Sequence, residues 1–278
     1  MFNFAAFQIS TMKLGDSDTL YIRISRSEFV FARYDRLRQQ TVNFETYVTQ
    51  PDISINANMH EAIRRTSLVK GDFSYVRVLV EGPATLVPLS DFDEDHTEDI
   101  YFFNFSKSRK RHRVFYDTLP HLNAVLLFAI DKDICHTLEE TFPNLLFQSA
   151  ETPLLLHFAS ACMAATCGRF FVNIANGRIG LSAFRDKKLG LYNTCTVHHL
   201  EDVLYFTLQT MHLWHFRRES DELYLCGERE QADELLKMLT PYVPHISVLK
   251  PEEEFNANVA ALLDKLPYDL VLLMLRAY

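Results

Sequence analysis

Glycine is scarce in this sequence, 8 residues in 278, and no P-loop, GxSxG nucleophile elbow or HExxH zinc helix occurs. Cysteine is sparse as well: Cys135, Cys162, Cys167, Cys195 and Cys226 are odd in number, scattered through apolar segments and without a CxxC pair. They read as reduced, buried thiols. No apolar run approaches the roughly 20 residues of a membrane span, so direct membrane insertion is not expected; Leu270 to Leu275 fits one face of a buried helix. Met1 to Gly15 has no basic start, and Asn3, Gln8 and Ser10 interrupt its apolar residues. It does not read as a signal peptide, and a cytoplasmic location is the expectation. Positive charge is in the minority, with 28 Lys and Arg against 36 Asp and Glu for a net charge of -8. That balance opposes attraction to nucleic acid or anionic lipid.

What the chain has is core-forming material, 48% apolar and 13% aromatic, enough for two domains of ordinary size. Leu20 to Ile24 and Glu28 to Tyr34 read as a strand pair around an Arg26-Ser27 reversal, and Val42 to Val48 predicts a third strand. Asn56 to Leu68, with Met59, Ala62 and Ile63 at helical spacing, predicts a helix. A strand around Tyr75 to Val80, a helix from Asp91 to Phe105 and a strand around Arg113 to Asp117 read as an inserted subdomain. Asn123 to Ile130 is a continuous apolar run, hence a buried strand. A helix from Ile134 to Phe142 follows, with Asp131 or Asp133 as its N-cap, then a short strand Leu145 to Gln148. Thr152-Pro153 opens a long apolar helix to Ala165.

After Cys167-Gly168 the order begins again, at an offset of roughly 150 residues, which marks an internal repeat. Phe170 to Ala175, Arg178 to Phe184 and Leu189 to Val197 predict three antiparallel strands, the first two joined by the hairpin dipeptide Asn176-Gly177. A helix His199 to Leu213, a strand Glu222 to Cys226, a helix Glu230 to Leu239 ended by Pro241 and Pro244, and a strand Ile246 to Leu249 complete it. Phe255 to Leu263 and Tyr268 to Ala277 predict two closing helices.

This repeated order is similar to the ribonuclease H-like lobe duplicated in the actin, hexokinase and heat-shock chaperone superfamily. Within it the chain most resembles the PilM and FtsA branch of pilus assembly and cell division, whose members carry a small subdomain inside the first lobe. Val172-Asn173-Ile174 through Leu189 resembles their strand, hairpin and strand; Leu223 to Glu228 stands in the place of their Gly-rich adenosine motif; Leu266 to Arg276 is like their closing helix. The resemblance implies an α/β protein of two ribonuclease H-like lobes, βββαβαβα twice, in the actin-like ATPase fold. The first lobe would span residues 1–166, with its insert at about 73–119, and the second 167–278.

By the same resemblance a nucleotide would lie between the lobes, against Asn173, Asn176, Gly177, Gly227 and Glu228. Active members end the first strand of each lobe in an acidic residue that organises Mg2+, and follow it with glycine so that backbone N–H groups meet phosphates. Here the first lobe reads Ile22-Arg23-Ile24-Ser25-Arg26-Ser27-Glu28, with neither feature, and Asn173 replaces the second acid. Glu228 sets an anion where ribose and phosphate would meet backbone. The expectation is a degenerate site with no catalytic residue, no metal ligand set and no cofactor. The chain would serve as a scaffold that binds another protein or a peptide through the cleft or the insert. Likeness to PilM implies a short peptide from a membrane-associated partner. The alternative is an ATPase or kinase-like enzyme that holds Mg-ATP through Asn173, Gly177, Gly227 and Glu228.

Three further clusters read as ordinary surface. Asp91, Asp93 and Asp95 begin like a calcium loop, but His96 and Phe102 replace its glycine and closing glutamate, leaving charge that favours a helix start. His198, His199, His212 and His215 have no Cys, Asp or Glu at ligand spacing. Lys107 to Arg113 is a dense basic run beside aromatics, a charged connection next to a core strand with an acidic segment as its alternative ligand.

Overall fold

The computed structural model describes residues 19–35, 41–71, 73–106, 108–254 and 266–275. Strand β1 (Thr19–Ile24) pairs antiparallel with β2 (Glu28–Asp35), and β2 with β3 (Thr41–Val48). Helix α1 (Ile55–Arg65) starts at Ser54, whose hydroxyl accepts the N–H of Ala57. It buries Met59 and Ala62 beneath the sheet, as their spacing requires. Strand β4 (Tyr75–Val80) then lies parallel to β1.

Next come β5 (Ala84–Pro88), a 3-10 turn Glu94–His96, α2 (Thr97–Asn104), β6 (His112–Leu119) and β7 (Ala124–Asp131). Helix α3 (Lys132–Thr141) is capped by Asp131, which accepts from the N–H of Asp133. Strand β8 (Leu145–Ser149) joins β4 in parallel, and α4 (Glu151–Cys162) ends the first half. The order in the first sheet is β3-β2-β1-β4-β8, and β5-β7-β6 form a separate three-stranded sheet.

The insert therefore differs from the expected 73–119. Tyr75–Val80 belongs to the main sheet, whereas the apolar run read as a core strand of the lobe is β7, the middle strand of the insert. Both faces of β7 are covered. Leu126, Phe128 and Ile130 join the core under the main sheet, while Val125, Leu127 and Ala129 pack with Tyr101 of α2. A strand buried on two faces has no polar alternation, so its sequence does not reveal which sheet holds it. Strand β5 went unread, and the helix expected from Asp91 begins only after the 3-10 turn.

The second half repeats the first. Strands β9 (Arg169–Ala175), β10 (Arg178–Arg185) and β11 (Lys188–Thr196) are antiparallel. Helix α5 (Leu200–Leu213), β12 (Glu222–Gly227), α6 (Arg229–Leu239) and β13 (Ile246–Val248) follow, giving the order β11-β10-β9-β12-β13. Asn176 and Gly177 have φ of 51° and 68°, the left-handed pair of a type I′ hairpin.

A short helix α7 (Pro251–Glu254) precedes the closing helix α8 (Tyr268–Leu275). The helix expected at Phe255 to Leu263 lies outside the described residues. Helix α8 is apolar on every side except at Asp269, because both halves cover it. Leu270, Val271 and Met274 pack on Val30, Ala32 and Leu79 of the first sheet, and Leu272 meets Phe158, Phe171 and Cys226.

Candidate functional site: the cleft between the lobes

Two backbone bonds set the lobes in correspondence. The N–H of Glu81 donates to Ile24 O at 2.9 Å, and the N–H of Glu228 donates to Ile174 O at 2.8 Å. Arg23 thus matches Asn173, Arg26-Ser27 matches Asn176-Gly177, and Glu81 matches Glu228. Residues of β1 and β2 in the first lobe and of β9, its hairpin and the end of β12 in the second border a cavity of about 300 Å³. Its lining includes Arg23, Glu28, Asn173, Asn176, Glu228 and Asp269.

Arg23 is 1% exposed. Its Nε donates to both carboxylate oxygens of Asp269, at 2.8 and 2.9 Å, and its Nη2 donates to Glu81 Oε2 at 2.6 Å. Burial opposes the guanidinium charge, but Asp269 and Glu81 outweigh it and raise the Arg23 pKa above its ordinary value. Burial likewise pushes the Glu81 carboxyl up, against Arg23 and Asn176. Both of those residues donate to the same Glu81 oxygen, Oε2.

Asn176 joins the lobes from the other side. Its Nδ2 donates to Glu81 at 2.7 Å, its Oδ1 accepts from Ser27 Oγ at 3.1 Å, and its backbone N–H donates to Glu228 Oε1 at 2.5 Å. Gln231 Nε2 donates to the other Glu228 oxygen. A protein carboxylate thus occupies the Asn176 N–H of the second hairpin, and a paired guanidinium stands near the end of β1.

The remaining predicted residues have local work. Asn173 is buried, with its Oδ1 3.6 Å from Cys226 Sγ. Gly227 has φ +98°, and a Cβ there would lie 2.0 Å from Ile174 O, so β12 and β9 can close only around glycine. Gly177 serves its turn. Of the residues expected at the cleft, Asn173, Asn176, Gly227 and Glu228 line the cavity and Gly177 does not; Glu81 and Asp269 do not follow from the sequence reading, which gives Arg23 no partner. The available signal was a charged residue inside each apolar element, Arg23 in LYIRI and Asp269 in YDLVLLML. Buried charges need partners.

Behind the cleft wall a second cluster ties three elements together. Tyr268 Oη donates to Glu254 Oε2 at 2.5 Å, and His157 Nε2 lies 3.1 Å from Glu254 Oε1 and 3.0 Å from Tyr268 Oη. The basic run is largely neutralised: Arg109 pairs with Asp99 and Arg113 with Glu139, each at 2.7 Å, while Lys107 lies outside the described residues. Asp93 accepts from the N–H of Asp95 at the 3-10 turn, and Asp202 accepts from the N–H groups of His198 and His199 at the start of α5. Among the described residues no group of three or more His, Cys, Asp or Glu is placed to hold a metal ion, and no helix is long and apolar enough to cross a membrane.

Two repeated sheets with the cleft between them are the actin-like ATPase fold, and solved structures agree. A Bacteroides thetaiotaomicron protein with actin-like ATPase fold and unknown function is 24% identical, with a TM-score of 0.77 over 89% of this chain and 96% of its own. PilM in the PilM-PilN type IV pilus biogenesis complex is 12% identical, with a TM-score of 0.59 over 92% of this chain and 96% of its own. The chain belongs to the protein family of unknown function DUF3822, whose model matches residues 10–246. No curated protein matches it.

Proposed function

We propose that this protein is a non-catalytic scaffold that binds another protein or a peptide, with an actin-like cleft whose nucleotide site has been replaced by internal ion pairs. The observation that carries the reading is Arg23, held by Asp269 and Glu81 at the end of β1. Binding Mg2+ there would put a divalent cation beside a buried guanidinium, and a phosphate at the second hairpin would have to displace Glu228. The PilM structure, solved as a complex with PilN, supports a protein partner by fold analogy.

Calorimetric titration with ATP and ADP, with and without Mg2+, tests this. No binding at millimolar nucleotide is the expected result. Micromolar, Mg-dependent binding would overturn the reading in favour of an ATPase that uses Asn173, Gly177, Gly227 and Glu228, and turnover would then be the next assay.

A further inference from the structure

Two residues that line the cavity between the lobes, Arg23 and Glu28, carry a donor and an acceptor that no described residue uses. Arg23 Nη1 is buried without a hydrogen-bond partner, while Nε and Nη2 are fixed by Asp269 and Glu81, so the guanidinium cannot turn to satisfy it. Glu28 opens β2 at the cavity, half-buried, with its hydrogen bonds to Ser25 made through its backbone alone. Its carboxylate has no partner among the described residues. From this pair we infer that the cleft takes a basic peptide segment, one lysine or arginine side chain with its adjoining backbone carbonyl. The inference rests on the scaffold reading above and names the chemistry of the ligand.

Charge favours that class. Glu28, Glu228 and Asp269 line the cavity against Arg23 and Arg229, and the Arg23 charge is already matched by Asp269 and Glu81. An entering group meets a negative field, which attracts an ammonium or guanidinium and repels a polyphosphate. The unused Nη1 donor suits a neutral carbonyl, an acceptor that every peptide unit supplies. Val248, Leu249, Leu266 and Pro267 form an apolar wall along which the methylene stem of a basic side chain can lie. At about 300 Å³ the space matches a side chain and a peptide unit, the lower end of small-ligand sites.

The test uses the full chain, isotope-labelled for NMR, titrated with N-acetyl-Ala-Lys-Ala-amide and with the same peptide carrying Glu for Lys. The expected result is saturable millimolar shifts of the Asn176, Gly177 and Glu228 amide signals with the lysine peptide only. Glu28→Gln should weaken that binding about fivefold, the scale of one partly exposed ion pair, without changing the melting temperature. Silence with the lysine peptide, equal response to the glutamate peptide, or indifference to Glu28→Gln would each overturn the inference. Silence with both lysine peptide and nucleotide removes this ligand and leaves the scaffold reading in place, whereas micromolar Mg-ATP binding removes both.

Discussion

The two lobes meet the cleft with the same backbone and opposite side chains. In the first, β1 carries a buried cation, Arg23, one residue before its end, and β4 ends in an ordinary buried Val80; in the second, β9 carries the neutral Asn173 and β12 ends in the positive-φ Gly227. Both then place a glutamate one residue beyond the strand, bonded back through its N–H to the end of the neighbouring strand. The shared backbone follows from the repeated strand order. The differences show that each lobe closes its end of the cleft by its own means, the first by ion pairing and the second by close approach of two strands.

The largest expected effect breaks the second of those means. Gly227→Ala forces a Cβ into the Ile174 carbonyl and a left-handed φ on alanine, a combined cost of about 4–6 kcal/mol. Thermal unfolding should show a collapse of stability or no folded protein at all. Loss of ligand binding in a Gly227 variant would therefore report on folding and not on a nucleotide. A Gly227→Ala protein that melts like the parent would mean that β12 can end as β4 does, and the contrast between lobes would vanish.

Next in size is the ion pair. Arg23→Ala leaves Asp269 and Glu81 buried without their cation, which costs about 3–5 kcal/mol. The matching change in the second lobe, Asn173→Ala, removes only a weak contact with Cys226 and is expected to cost about 1 kcal/mol or less. Urea unfolding of both variants measures the asymmetry directly. Equal losses would show that the two strand ends are energetically alike despite their different side chains.

How much of this was legible beforehand depends on the range of the forces involved. The hairpins, the helix cap at Asp131 and the repeat itself follow from neighbouring residues, and they are readable from turn dipeptides and apolar spacing, whereas the Ser54 cap of α1 is seen only in the structure. The boundary of the insert was not, because β7 is apolar on both faces and its pairing is decided by which sheet covers it. Nor was the Arg23–Asp269 pair, whose members are 246 residues apart. The candidate cleft residues are an expectation from resemblance, and what fills their hydrogen bonds does not follow from the sequence. Glu228 looked like an obstacle in the sequence; in space it is the acceptor for the Asn176 N–H.

The insert adds a further asymmetry, because it ties a titratable group to the first lobe alone. Asp117 of β6 accepts from the N–H of Ser149 at 2.9 Å and from Thr152 Oγ1 at 2.5 Å, linking the insert to the start of α4. Burial pushes its carboxyl up to about 7, against the pull of Thr152, Ser149 and Arg77. Its folded pKa is thus above the unfolded one, so its contribution is full below about pH 4 and is lost as pH rises through about 7. Asp117→Asn keeps an acceptor and removes the titration. Unfolding curves across pH should show the variant gaining on the order of 2 kcal/mol above neutrality and nothing in acid. A variant that loses stability above neutrality would show the charged carboxylate to be the favoured form.

A smaller effect tests whether the two hairpins hold each other. Asn176→Gly keeps the left-handed φ without strain and removes two side-chain bonds, to Glu81 and from Ser27, for an expected loss of about 1–2 kcal/mol. The first hairpin has bonds of its own, since Ser25 Oγ donates to Glu28 O and accepts from Glu28 N–H. Hydrogen exchange separates the two contributions. Faster exchange in both hairpins means that Asn176 couples the lobes across the cleft; faster exchange around Gly177 alone means that each lobe keeps its own turn and that Arg23 with Asp269 is the principal bond between them.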